Sequence, residues 1–348
     1  MANISLCIRF YAITCLVLLT VCCGSCKKNS AASTAFYYWK QDFKPDEKQI
    51  FLLKNSGSSK LYIRFFDIKW DAGTGRPYPE AIVRFNESPS LQNIVPVIFI
   101  TNQTFEKLGK DGIDSLAVKS NILLKKLAQE HGIVYQAIQI DCDWTISTKE
   151  SYFSFLKSLK AISKKTLEST IRLHQVKYQF KTGVPPVDRG VLMFYNMGKL
   201  SADPAALNSI YNPKDAAAYI SSLPNYLLPL DIALPVFSWS LQIRDGKIIQ
   251  VYGKIGRTEL SNSRNFKPMV QKNVYQALSS FFMGGIYIKA GDLFKLEESN
   301  KNTLDQAAEQ IAAHLNKKDK RTIIYYELGN LDLSAFKATD FKEISAYF

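Results

Sequence analysis

From residue 36 onward, short runs of apolar, β-branched or aromatic residues alternate with longer stretches in which apolar positions recur at helical spacing. The short runs are FYYW (36–39), LYIRFF (61–66), VPVIFI (95–100), YQAIQI (135–140), STIRL (169–173), GVLMFY (190–195), DIALPVF (231–237) and TIIYYEL (322–328), eight in all. Such runs predict strands, and the longer period predicts helices between them. Helix boundaries are marked at several places. Pro45-Asp46-Glu47 starts a helix that Asn55-Ser56-Gly57 stops. Ser147 with Glu150, and Thr303 with Gln306, have the spacing of a capping box. Further helices are expected over 114–130 and 213–223.

Strands that alternate with helices form a parallel sheet, and eight such units favour a closed (β/α)8 TIM-like barrel over a doubly wound sheet. The stretches after the second and fifth runs lack a helical pattern. About 85 residues separate the seventh run from the eighth. They include WSLQIRDGKIIQVY, in which Asp245-Gly246 sits between alternating segments and reads as a hairpin turn. Residues 240–300 are therefore expected to form an inserted hairpin/helix subregion beside the barrel mouth.

The first residues break this rhythm. After Arg9 comes FYAITCLVLLTVCCGSC (10–26), too short and too N-terminal for an ordinary membrane span and closing on small residues before Cys26. It reads as a signal peptide. Gly24-Ser25-Cys26 followed by the polar KKNSAAST resembles a bacterial lipoprotein cleavage and lipidation site, with Cys23 where Leu is usual. The expected layout is residues 1–26 as leader and lipidation Cys, 27–35 as polar linker and 36–348 as barrel, in a monomer lipid-anchored to a bacterial outer membrane. Five of the six cysteines lie in the leader, leaving Cys142 alone, so a hydrophobic core must supply the stability. With 47% hydrophobic and 12% aromatic residues the chain is equipped for one. Removing the leader takes away only Arg9 and turns a net charge of +13 into +12. The lysines are spread along the chain, which suits anionic lipid or acidic glycan, and an exported protein does not meet nucleic acid.

In a barrel of this kind the strand C-termini and the loops after them carry the chemistry. On the fourth strand, alternation places Gln139, Asp141 and Asp143 toward the axis if Ile138, Ile140 and Cys142 face the helices. The same rule groups Thr170, Arg172 and His174 on the fifth strand. The sixth ends in Tyr195 and Asn196, the seventh runs into Phe237 and Trp239, and the eighth carries Glu327. The first contributes Trp39, with Asp42 beyond it, and the second Arg64, Asp67 and Trp70. Rings beside carboxylates suit sugars, whose C–H faces stack while their hydroxyls take hydrogen bonds. Trp39, Trp144 and Trp239 are each either sugar platforms or core. His174 is either a general base or a structural residue, and Arg172 is expected to hold a carboxylate. Asp188 and Arg189, in the rigid GVPPVDRG loop, are read as a structural pair.

IDCDW on strand four, MFYN on strand six and ALPVFSW on strand seven resemble, in that order, the motifs of chitinase-like glycoside hydrolases. That resemblance implies a retaining (β/α)8 enzyme whose fourth strand carries D-x-x-D-x-D-x-E. Asp141 and Asp143 fall on its inner two Asp positions, where Asp143 and Tyr195 would bind the substrate's N-acetyl group. Ile138 stands at the first Asp and Thr145 at the acid Glu. A hydroxyl cannot protonate a leaving glycosidic oxygen at neutral pH, whereas a raised-pKa carboxyl can. IDCDWT, TIRLHQ and GVPPVDRGVLMFYNMG also resemble uncharacterised lipoproteins of Bacteroidetes-type bacteria.

Two classes of function follow. One is a glycoside hydrolase-like enzyme with Asp143 as acid and Asp141 or Glu327 as its partner. The other is a non-catalytic glycan-binding lipoprotein that kept the barrel without the acid. Metal chemistry has little support, because His131, His174 and His314 have no ligand spacing around them. No cofactor is expected, since serine-nucleophile, phosphate-loop and dinucleotide motifs are lacking.

Overall fold

The computed structural model describes residues 32–86, 93–316, 319–333 and 335–348. The leader, Cys26 and residues 27–31 lie outside the described residues. Eight strands form the barrel: β1 (Ala32–Tyr38), β2 (Ser58–Asp71), β3 (Ile94–Ile100), β4 (Ala137–Asp141), β5 (Thr166–Arg172), β6 (Arg189–Met193), β7 (Leu230–Pro235) and β8 (Arg321–Tyr326). Each pairs in parallel with the next in chain order. The ring closes where Phe36 of β1 registers with Tyr325 of β8. This is the expected (β/α)8 architecture. One boundary differs: residues 32–35, read as linker, belong to β1, and Thr34 and Ala35 are buried.

Helices α1 (Glu47–Asn55), α2 (Lys110–Glu130), α3 (Lys149–Ser163), α4 (Pro213–Ile220), α5 (Lys301–Ala312) and α6 (Ala338–Ser345) pack outside the strands. α1 forms as its capping signal predicts, with Asp46 accepting from Gln49 N at 2.8 Å and Gln49 Oε1 accepting from Asp46 N at 3.0 Å. The other two capping boxes do not form. Thr148 holds the N-cap position of α3 without bonding a helix amide; its hydroxyl instead ties the preceding loop, accepting from Thr145 N at 2.9 Å and donating to Asn102 Oδ1 at 2.6 Å. Asn300 caps α5 by accepting from Thr303 N. Where no helical pattern followed the second run, β2 runs on to Asp71 and folds back as an antiparallel arm, Arg76–Glu80. After β5 come only two short helices, Leu173–Lys177 and Gln179–Thr182.

Between β7 and α5 the insertion contains the hairpin and a short helix, Arg257–Leu260, within a five-stranded antiparallel sheet. Its first hairpin joins Ser238–Arg244 to Lys247–Tyr252, and Asp245 (φ 49°) and Gly246 (φ 69°) both take the left-handed conformation that a two-residue turn requires. The sheet has its own core around Phe266, Ile288 and Phe294.

Alternation along the barrel strands separates two cores. Phe36, Tyr38, Ile63, Ile138 and Ile140 face the helices, while Ala35, Tyr37, Tyr62, Val97, Val191 and Ile324 fill the barrel. β2 breaks the alternation once. Its register against β3 shifts between Arg64 and Phe66, so Phe65 and Phe66 both enter the outer core. The extra residue at this bulge brings Arg64 and Asp67, three apart, to one side.

Candidate functional site

The carboxyl ends of the strands meet around two linked groups of residues. The first is ionic. Asp141, the last residue of β4, is buried and accepts from Thr170 Oγ1 of β5 at 2.7 Å. Burial pushes its pKa up to about 6, against the opposing effects of the Thr170 hydrogen bond and the Arg172 charge. Asp143, one pleat further, lies half-exposed, with Arg172 gripping both its oxygens at 2.5 and 2.9 Å. Arg172 thus holds a carboxylate, as its sequence position implied. Gln175 fixes this pairing: buried, it accepts from Arg172 N at 2.8 Å and donates to Trp144 O at 3.0 Å, tying the end of β5 to the end of β4. A Gln three residues after the strand end is the only sequence signal for it.

The second group is aromatic. Tyr195 stacks on Tyr326 with ring centroids 5.4 Å apart. Trp39 and Phe237 meet the same Tyr326 edge-on, and Phe237 contacts Trp239. Trp39, Phe237, Trp239 and Tyr326, with Lys40 and Asn330, line a cavity of about 350 Å³. Its walls are braced from behind. Arg64 lies over the Trp39 ring at 5.6 Å and is paired to buried Asp67. Trp239 Nε1 donates to Glu297 Oε2 at 3.0 Å, and buried Glu297 is held in turn by Ser209 and Lys295. Below the mouth, Tyr37 donates to Gln139 at 2.6 Å, and Gln139 donates to Glu168, whose pKa burial raises to about 7.

Several sequence candidates sit elsewhere or serve differently. Trp144 is a correction: it is fully buried on the helix side, stacked on Tyr152 and donating from Nε1 to Thr182 O at 3.0 Å, so it offers no platform at the mouth. The alternation that turns Asp141 and Asp143 inward necessarily turns residue 144 outward. Asp42 pairs with Arg84 at the surface. Asp188 and Arg189 do not pair with one another; Asp188 binds Lys160 and Leu167 N, while Arg189 binds Asp231 of β7. Glu327 reaches the cavity wall, but both its oxygens are occupied, Oε2 by Trp39 N at 3.0 Å and Oε1 by Asn330 Nδ2. Burial raises its pKa. His174, on the short helix, lines a recess of about 90 Å³ with Arg172, Tyr195 and Asn196. Partial burial lowers its pKa. Thr145, at the acid position of the chitinase-like motif, shares its hydroxyl with Ser147 at 2.8 Å in the loop leading to α3.

Tyr326 and Glu297 were missed. Tyr326 was accessible by the rule applied to β4, because Ile324 faces inward and residue 326 must follow it. Glu297 was not, because its partner Trp239 lies on another strand of the inserted sheet. Among the described residues, no group of three or more His, Cys, Asp or Glu is placed to hold a metal ion, and no helix is long and apolar enough to cross a membrane.

No protein-family model and no curated protein matches this chain. Solved structures do. The spore cortex-lytic enzyme SleL of Bacillus cereus superposes with a TM-score of 0.55 at 13% identity, over 91% of this chain and 74% of that one. The chitinase-like agglutinin of Robinia pseudoacacia gives 0.53 at 10% identity, over 90% and 98%. The GH18 chitinase ChiB, from the chitin utilization locus of Flavobacterium johnsoniae, gives 0.51 at 13% identity, over 91% and 94%. At these identities the likeness establishes a shared barrel fold.

Proposed function

We propose that the barrel mouth binds a glycan. The observation that carries this reading is the ring-lined cavity: Trp39, Trp239, Phe237 and Tyr326 converge from β1, β8 and the stretch after β7 beside hydrogen-bonding groups of Asn330 and Asn196. Flat rings with a few polar groups are what the two faces of a sugar require. The neighbours' names point the same way, since they include a chitinase, a cortex-lytic enzyme and an agglutinin. Within that reading the site acts as a binder. Thr145 supplies no acid, Asp143 is engaged by Arg172, and Glu327 is engaged by the Trp39 amide and Asn330.

One observation favours hydrolysis as a second reading. Asp141 closes β4 beside the Asp143–Arg172 pair at the carboxyl end of the barrel, and burial pushes its pKa up to about 6, the direction a general acid needs. The role of acid would then fall to Asp141 and not to Asp143. A glycan array with product analysis by mass spectrometry, run on the wild type, Trp239→Ala and Asp141→Asn, separates these possibilities. The binder reading expects retention of specific glycans, at least tenfold weaker in Trp239→Ala, with no shortened products. Products that vanish in Asp141→Asn would transfer the assignment to a hydrolase. Failure to retain any glycan would remove both.

The address proposed with this function is the cell envelope, with a lipid on Cys26. It rests on the apolar leader ending in Gly24-Ser25-Cys26 and on the likeness to Bacteroidetes-type lipoproteins. Cys26→Ala should move the protein from the membrane fraction to the soluble one, and an unchanged membrane fraction would refute the anchor.

A further inference from the structure

Two cations near the mouth are used internally: Arg64 is paired with Asp67 and Arg172 with Asp143. Lys40 is placed differently. It follows Trp39 directly at the end of β1 and lines the same aromatic cavity. Among the described residues its ammonium makes no ion pair or hydrogen bond. Glu327 senses the Lys40 charge, yet its own oxygens are held by Trp39 N and Asn330 Nδ2. The Lys40 stem is also seated. It lies against Gly329, where an added Cβ would come within 3.1 Å of Lys40 Cγ and 3.2 Å of Cδ. The loop Leu328–Asn330 therefore has a glycine where the lysine stem passes, and the stem delivers one unpaired positive charge to the rim of a ring-lined cavity.

We infer that the glycan bound here is acidic, carrying a carboxylate or a sulfate that meets Lys40 while its ring lies against the Trp39, Trp239 and Tyr326 walls. This rests on the glycan-binding reading of the same cavity and narrows it. Two features agree. A lysine ammonium donates a hydrogen bond to a neutral sugar hydroxyl, but to a carboxylate or sulfate it adds the attraction of opposite charges to that bond. The net charge of +12 on the chain after the leader draws polyanions toward it at moderate ionic strength.

The test uses an array printed with neutral N-acetylglucosamine oligomers, uronate-containing oligosaccharides and sulfated oligosaccharides of matched length. It is probed at low and at physiological salt with the wild type, Lys40→Gln and Lys40→Arg, whose thermal midpoints are compared first to confirm that each is folded. The expected result is retention of acidic members about fivefold more tightly than neutral ones, the size of effect an exposed ion pair gives. That preference should vanish in Lys40→Gln, survive in Lys40→Arg and shrink as salt rises. The uronate and sulfate arms identify which anion is held. Neutral oligomers held as tightly as acidic ones, or an acidic preference that persists in Lys40→Gln, would overturn the inference and leave glycan binding standing. If the wild type retains no member, the inference and the glycan reading fall together.

Discussion

Asp141 and Glu168 share an unusual setting, since each is a carboxyl inside the barrel whose burial outweighs the hydrogen bonds favouring its charged form. Their folded pKa values, about 6 and about 7, lie above the ordinary 3.8 and 4.5. The folded state therefore holds more protons than the unfolded state, so this contribution to stability is complete below about pH 4 and is lost as pH rises through 6 and 7. At about 1.4 kcal/mol per pKa unit, each group costs on the order of 3 kcal/mol at pH 8 relative to pH 4. Glu168→Gln keeps an amide for the Gln139 contact and removes the charge. Denaturant titrations between pH 4 and 8 should show the wild type losing stability with rising pH and Glu168→Gln losing less. Parallel curves would show that Glu168 is not a source of the pH dependence. These two residues also illustrate what alternation makes legible. The inward side of Asp141 follows from its neighbours Ile138 and Ile140, whereas its raised pKa follows from burial by the strands packed around it, which outweighs the Thr170 hydrogen bond contributed by another strand.

Among the elements, the strands are the most legible in the sequence, because each barrel strand is buried on both faces and so appears as an apolar run. Helix starts are less legible. A capping box is a local pattern, and competing loop hydrogen bonds can move the helix start away from it: Asp46 keeps its box with Gln49, whereas α3 starts after Thr148, whose buried hydroxyl is engaged by Thr145 N and Asn102 and not by a helix amide. Three substitutions follow from this difference. Asp46→Ala should cost about 1 kcal/mol and Thr148→Ala about 1 to 2 kcal/mol, the latter because a buried hydroxyl with two partners is lost. Ser147→Ala, at an exposed position, should stay within about 0.5 kcal/mol. Equal losses in Ser147→Ala and Thr148→Ala, measured by chemical denaturation, would show that the Thr148 hydroxyl bonds to the loop carry no special share of the stability. The insertion was the least legible element. Its Asp245-Gly246 turn is written locally, but the pairing of Ser238–Arg244 with Leu293–Glu298 spans about 50 residues and carries no local mark.

For the molecule as a whole, the proposed glycan site implies that the two ends of the barrel divide the labour, and one pair of substitutions tests that division. At the amino-terminal end, Asp231 of β7 is fully buried and accepts from Arg189 of β6 at 2.7 and 3.1 Å and from Thr322 N of β8 at 2.7 Å. One carboxylate thus joins three neighbouring strands across the ring. Asp231→Ala would strand a partly buried guanidinium and a backbone amide, lowering unfolding free energy by about 3 kcal/mol or more. At the carboxyl-terminal end, Trp239 is only partly buried, and its indole is held from behind by Glu297. Trp239→Ala should cost less stability while weakening glycan retention at least tenfold. The folded fraction of Asp231→Ala should retain glycans within about twofold of the wild type, because the barrel separates its carboxylate from the cavity. Measuring unfolding free energy and glycan affinity for both variants separates the two ends: the assignment stands if each variant loses chiefly one property. If Asp231→Ala abolishes glycan binding while folded, the site extends through the barrel and the cavity at the mouth is not its whole extent.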